Sequence, residues 1–306
     1  MQSDIKEILD FHADDYGVSK NSCDGILDLL SKGFLDSISF LPNMTAFECA
    51  AKALKDFDQA NPQKKPLVSV HLNFFEGHCV ASASDVPDLV DERGYFKISW
   101  GSLFKWNYNP IKRQKIKRQL TKEILGQTKK CVQAQVVDPL ALRFDSHQHS
   151  HMIPMVFEAL CDAIMELERE GLKTSFIRNT QDPILPYFKI KDLRPTFSKI
   201  NIVKCLILNH YSFFVQRRLK KMGLGAPYLC GVFFSGHMDS ERIQKVIGRY
   251  AKKPLKEGRF IELLFHPGSV LQSEITEEFV KPDFNRFHLS DDRRIERESV
   301  ATLRIS

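Results

Sequence analysis

Short apolar runs alternate with amphipathic stretches along almost the whole chain, and this alternation restricts the fold more than any other feature. Strand-like runs occupy Glu7–Phe11, Ser37–Leu41, Leu67–Leu72, Ala141–Phe144, Ser175–Ile177 and Phe260–Phe265. Helical periodicity fills Asp24–Lys32, Ala46–Phe57, Ile116–Val132, Met155–Glu170 and Ser240–Tyr250, with Gly33 and Gly171 placed as helix C-caps. Repetition of this kind builds βαβ units and a largely parallel sheet, either open and doubly wound or closed as a barrel. The polar residues favour the barrel. Asp14 and Asp15 follow the first strand, His71 lies in the third, His147 follows Phe144, and His266 follows Phe265. In a barrel the C-terminal ends of the strands converge on one mouth, where sites are built. The expected fold is therefore α/β, a TIM-like (β/α) barrel of irregular form. It is read as a single domain over residues 1–306 with a long insertion at about 185–235, near the C-terminal half. Gly77–Ser102 reads as a long loop over the mouth, since long loops on a barrel's active face commonly bind substrate.

Composition removes several alternatives. A chain of 306 residues that is 43% hydrophobic and 27% charged can bury a substantial core, which sets aside disordered and collagen-like classes. Its seven cysteines are scattered, with no Cys-x-x-Cys pair, against a disulfide framework or a zinc ribbon and in favour of a reducing compartment. The N-terminal residues mix charge and hydrophobe where a signal peptide needs an apolar run. The most apolar window, Ile202–Val215, is broken by Asn209 and His210 and is too short to span a bilayer. The expected location is cytoplasmic, free or membrane-associated. The net charge of +6 gathers in clusters beginning at Lys105 and at Val215. Such clusters serve as solvated helix faces or as contacts for nucleic acid, an anionic lipid surface or an anionic glycan.

Two motifs carry most of the chemical signal. In His-Ala-Asp-Asp-Tyr-Gly, His12 to Gly17, adjacent carboxylates at a strand end repel one another unless a cation joins them. Taken alone, Asp15 or Ser19 would serve equally well as a helix N-cap. In Asp-Ser-His-Gln-His-Ser-His, Asp145 to His151, alternate histidines on an extended segment face one side, a pattern suited to metal binding. His71, in Val-Ser-Val-His, and His266, before Pro-Gly, would each pass alone for a hydrogen-bonded core histidine. His78, His210 and His237 have no supporting context and are assigned to structure. One carboxylate and two imidazoles make a three-ligand set with open positions for water and substrate. A second carboxylate as base and a histidine as acid complete a kit for amide hydrolysis. No Gly-rich phosphate loop or dinucleotide fingerprint is present.

The segments ADDYG, SVHLN, DSHQHSHM and ELLFHPG occur in this order. Together they resemble the YdjC-like carbohydrate deacetylases, which include chitooligosaccharide and hopanoid-pathway enzymes. The resemblance runs from about Ile8 to Val270 and extends weakly into DDRRIERESVATL. It implies a TIM-like barrel, with Asp15, His71 and His147 as metal ligands, Asp14 as base and His266 as acid. It further implies that His149 and His151 support the site or bind substrate, and that Arg178 orients Asp14 or holds the sugar. The family's metal is usually described as magnesium and that of related deacetylases as zinc. The set of two nitrogens and one oxygen leans to zinc.

The implied partner is an N-acetylated amino sugar, free or lipid-linked, and not nucleic acid. His12 departs from the small or amide residue of many relatives, and Tyr16 from their phenylalanine. The basic and aromatic insertion resembles hopanoid-type members and suits peripheral contact with an anionic membrane. The reading preferred for these aromatics is that they pack the insertion onto the barrel. Two other readings stand beside the deacetylase: a barrel metallohydrolase of another ester or phosphoester, and a non-catalytic glycan- or lipid-binding relative.

Overall fold

In the computed structural model, which describes residues 2–279 and 282–305, every strand-like run of the sequence is answered by a strand. They are β1 Leu9–Tyr16, β2 Ser37–Phe40, β3 Leu67–Leu72, β4 Leu142–Ser146, β5 Thr174–Ile177 and β7 Ile261–Phe265, joined by the unexpected β6 Tyr228–Cys230. The sheet order is β5-β4-β3-β2-β1-β7-β6, and all the pairings are parallel. The sheet curls until its edges approach: Leu229 N–H donates to Gln181 O at 3.0 Å, and Gln181 bridges Tyr228 in parallel. The result is an α/β, TIM-like half-barrel with one loosely bridged seam.

Helices of eight residues or more are numbered α1 Lys20–Ser31, α2 Phe47–Ala60, α3 Trp100–Asn107, α4 Arg113–Gln133, α5 Pro154–Arg169, α6 Lys199–Lys221, α7 Ser240–Tyr250 and α8 Asp292–Ile305. Thus residues 185–235 are largely helical and also supply β6. Ser19 caps α1, its side chain accepting the Ser22 N–H. No described helix is long and apolar enough to cross a membrane.

Period-two alternation sorts each strand into two faces. One face, with Phe11, Ala13, Ile38, Phe40, Val70, Leu72, Phe144, Leu263 and Phe265, joins the apolar core beneath the helices. The other carries His12, Asp14, Ser37, Ser39, His71, Asp145 and Glu262, all buried. The inside of this barrel is thus a hydrogen-bonded ionic network in place of the usual aliphatic layers. Such groups stay buried only where each finds a partner.

One strand detail differs from the sequence expectation. β1 runs on to Tyr16, so Asp14 and Asp15 lie inside its end and not beyond it. The segment 77–102 is a long loop, as expected, with one short helical turn at Ala83–Asp85, isolated antiparallel bridges His78–Tyr95 and Val90–Phe96, and the start of α3 at Trp100, and it is clamped from α4. Glu123 accepts the N–H groups of Val80 at 2.9 Å and Ala81 at 3.0 Å, and the Gln127 amide at 2.8 Å.

Burial pushes the Glu123 carboxyl up from 4.5 to about 7, against the hydrogen bonds it accepts. Between these two values the unfolded chain releases a proton that the folded chain keeps. Stability therefore falls as pH rises through that window, by about 3 kcal/mol. Relative to Glu123→Gln, the parent should lose stability over this range in denaturant melts at a series of pH values. Parallel pH profiles for the two chains would refute the assignment.

Candidate active site

The site starts from an irregularity in β1. Its register against β2 shifts between Ala13 and Tyr16, and Asp15 takes a left-handed backbone with φ 65°. In a regular strand neighbouring side chains point to opposite faces. A bulge lets the adjacent carboxylates of Asp14 and Asp15 turn towards one mouth. The left-handed residue costs about 1 kcal/mol, and aspartate tolerates it better than most residues. Gly17 follows at φ 97°, where a Cβ would lie 2.6 Å from the Phe40 ring, so the turn requires glycine.

Three side chains from three strand ends meet beside this bulge. His71 and Asp145 are register partners across β3 and β4, and His71 Nδ1 lies 2.6 Å from Asp145 Oδ1. That bond turns His71 Nε2 towards Asp15, where it stops 3.5 Å from Oδ1, buried and without a hydrogen bond of ordinary geometry. His147, next after β4, places Nδ1 3.0 Å from the same oxygen and Nε2 3.5 Å from Glu76 Oε2. The ligand atoms of Asp15, His71 and His147 all lie within 4.8 Å of one another. Burial opposes charge on Asp15 and on His71, yet their neighbours outweigh it. His147, His71 and Arg293 hold the Asp15 carboxyl well below its usual range, and Asp14 and Asp145 push His71 up to about 10.

A divalent ion fits this cradle. Two nitrogens and one oxygen converge, one buried nitrogen has no other partner, and each imidazole is backed by a carboxylate at its far side.

Asp14 sits beside the cradle in a different environment. Arg178 grips it with two bonds, 2.8 Å to Oδ1 and 3.0 Å to Oδ2, and His12 Nε2 lies 3.1 Å from Oδ1. Burial opposes ionisation of Asp14, but Arg178, His71 and His12 hold the carboxyl well below its usual range. Arg178 itself is fully buried and also bonds Glu262 at 2.7 Å and approaches Asp145 at 3.2 Å. Its guanidinium is thus committed to anchoring carboxylates. His151 is committed as well: Nδ1 meets Ser146 Oγ at 2.6 Å and Nε2 donates to Arg178 O at 2.9 Å. Burial pushes His151 down to about 4.

A cavity of about 380 Å³ opens over these groups, lined among others by Asp14, His147, His149, Lys204, His237, His266 and Asp292. His266 is only partly buried. Glu296 Oε2 accepts its backbone N–H at 2.5 Å and lies 3.3 Å from Nδ1, which leaves Nε2 for the cavity. Burial and the nearby Arg178 keep His149 neutral, and its buried Nδ1 has no partner. His237, assigned to structure from the sequence, lines the cavity because the turn 231–239 folds back over the mouth.

The sequence reading did not single out Asp145, Glu76, Glu262, His288, Arg293 and Glu296 as site residues. Asp145 and Glu262 carried a signal, since Glu262 stands between Ile261 and Leu263 on its strand and Asp145 follows Phe144 on its own. Arg293 and Glu296 carried none, because charges spaced three apart on an amphipathic helix read as a solvated face.

A model of the family of YdjC-like proteins matches residues 9–302. The chain belongs to the YdjC-like family. All the side chains of the site just described fall inside the matched region. This YdjC-like protein is 32% identical over 149 residues to a carbohydrate deacetylase of Geobacillus stearothermophilus, covering 48% of this chain and 51% of the relative. It is 28% identical over 114 residues to carbohydrate deacetylase 1 of Listeria innocua, covering 37% of this chain and 43% of the relative. The chain therefore spans about half the length of the curated relatives it matches. A solved structure from Enterococcus faecalis V583, provisionally described as a cellobiose-phosphate cleavage protein, aligns with a TM-score of 0.57 at 18% identity. That alignment covers 96% of this chain and 98% of the other, and it supports the fold of the YdjC-like protein.

Proposed function

We propose that this YdjC-like protein hydrolyses the N-acetyl group of an N-acetylated amino sugar, with one divalent ion bound by Asp15, His71 and His147. The observation that carries the reading is that His147, whose ligand atom lies within 4.8 Å of those of the buried Asp15 and His71, lines one cavity together with Asp14 and His266. A divalent ion there supplies Lewis acidity to water and to the acetyl carbonyl. Asp14, ionised and fixed by Arg178, accepts the proton of the attacking water. The water oxygen bonds the acetyl carbon. His266, steered by Glu296, hands a proton to the sugar nitrogen as the C–N bond breaks, so acetate and a free amine leave. His149, neutral and lining the cavity, hydrogen-bonds the sugar, while His151 and Arg178 hold the strand ends and Asp14. The two-nitrogen, one-oxygen set suits zinc better than magnesium.

The substrate we propose carries an apolar group beyond the sugar. A groove of about 280 Å³, lined by Trp100, Ile200, Val203, Ile207 and Leu208, meets the catalytic cavity at Gln148 and Lys204, which line both. Ile200 and Val203 on α6 are 77% and 56% exposed. A lipid-linked sugar would lay its chain there, and the apolar and basic face of α6 would rest on an anionic membrane.

The test is acetate release from N-acetylated sugars and from their methyl and octyl glycosides, with and without a chelator. Acetate and amine in equal amounts, loss of both with chelator, and a lower KM for the octyl glycoside are expected. No acetate from any substrate would overturn the reaction. Equal KM values for the two glycosides would overturn the groove assignment alone.

A further inference from the structure

We propose that Arg293 is a positioning residue that selects which atoms of Asp15 and His147 face the ion, an inference that rests on the proposed metal-dependent reaction. Arg293 comes from α8 and is 1% exposed. Its two terminal nitrogens both donate to Asp15 Oδ2, at 3.1 and 3.0 Å. This leaves Oδ1 as the oxygen that faces His71 and His147. The carboxylate is thereby held as a one-oxygen ligand.

The same guanidinium reaches the second ligand by a relay. One nitrogen lies 2.9 Å from His288 Nδ1. A guanidinium has donors and no acceptor, so His288 Nδ1 presents a lone pair and its hydrogen sits on Nε2. His288 Nε2 lies 3.2 Å from Glu76 Oε2, which in turn lies 3.5 Å from His147 Nε2. His147 Nδ1 donates to Asp15 Oδ1 at 3.0 Å; with an ion in place, an Nε2–H directed at Glu76, 3.5 Å away, would leave Nδ1 bare to face it. One buried side chain thus fixes an oxygen directly and a nitrogen through two intermediates. The relay would also disfavour a second cation among Glu76, His147 and His288, which likewise converge within 4.8 Å. The nitrogen that His288 turns towards that point already carries its hydrogen.

Charge and positioning make opposite forecasts here. A cation beside a divalent ion repels it, and Asp15 freed from Arg293 could offer both oxygens. If charge dominated, removing Arg293 would tighten binding. If positioning dominates, as we propose, removal weakens it, in line with the roughly 10–100-fold loss common when partners of metal ligands are mutated.

Titration calorimetry of the full chain with Zn²⁺, and the visible spectrum with Co²⁺, decide between them. Parent, Arg293→Met, Arg293→Lys and His288→Gln would be compared after circular dichroism confirms folding. The parent should bind one ion per chain, with both Arg293 variants weaker by about tenfold or more. His288→Gln, which cuts the relay but spares the Arg293–Asp15 bonds, should weaken binding by a smaller factor and alter the Co²⁺ spectrum. It keeps the proposal testable if the Arg293 variants fail to fold. A parent that binds no ion overturns the metal-dependent reading, and this inference with it. A parent that binds while its folded variants bind equally or more tightly overturns the role of Arg293 alone.

Discussion

Asp14→Asn is expected to bind a divalent ion within a few-fold of the parent while losing about 10³-fold in kcat for acetate release. The two carboxylates are adjacent in sequence but engaged differently. Asp15 Oδ1 lies 3.0 Å from His147 Nδ1, whereas Asp14 comes no nearer to the two proposed ligand histidines than 3.9 Å, to His71 Nε2. Both oxygens of Asp14 are gripped by Arg178, which keeps the group ionised and aimed at the cavity. An asparagine there fills the same space and cannot take a proton. Calorimetry with Zn²⁺ beside steady-state kinetics separates the possibilities. Near-parental kcat would remove Asp14 as the base. Loss of ion affinity would make it a ligand and exchange its role with that of Asp15.

The largest effect on stability is expected at Arg178→Met. The side chain is fully buried and lies against Asp14, Asp145 and Glu262. Replacing an intact buried ionic cluster with apolar groups can be neutral, but removing one partner leaves the others charged and uncompensated. Three carboxylates would lose their common cation, so a loss of about 3–5 kcal/mol or more is expected at neutral pH. The sign of its pH dependence follows. Without Arg178 these carboxyls titrate above their unfolded values, and the variant then regains stability relative to the parent as pH falls and they protonate. Denaturant melts from pH 8 down to 4 should show the gap narrowing. A variant as stable as the parent at pH 8 would show that the cluster does not need its cation.

Much of the barrel was legible because its strands obey a period of two even where their inner face is polar. Ser69 and His71 alternate with Val68 and Val70, and in the structure Ser69 and His71 are buried while Val70, and partly Val68, pack against the apolar core, as that pattern implies. The end of β1 was harder. His12, Asp14 and Asp15 read as leaving the strand, but each finds a buried partner across the sheet, and so the strand continues. β6 was hidden because Tyr228–Cys230 is too short to show alternation and follows the long helix α6.

Asp15, His71 and His147 were named through the family resemblance that their motifs carry, and the structure brings them together. Their supports were not legible for a different reason. Arg293 lies 278 positions from Asp15, and Glu296 lies 30 from His266. Nothing in an amphipathic helix tells which charges turn inward. That distinction comes from docking the C-terminal helix onto the mouth of the barrel, a tertiary event with no local signature.

The most direct test of metal-dependent deacetylation is restoration of activity to stripped protein. The chain would be freed of metal with a chelator, dialysed, and assayed for acetate release from the best glycoside as Zn²⁺ or Mg²⁺ is returned. Activity should be absent at first and rise in proportion to added ion, levelling off at one per chain. Full acetate release from verified metal-free protein would contradict the assignment of Asp15, His71 and His147 as the centre of the chemistry.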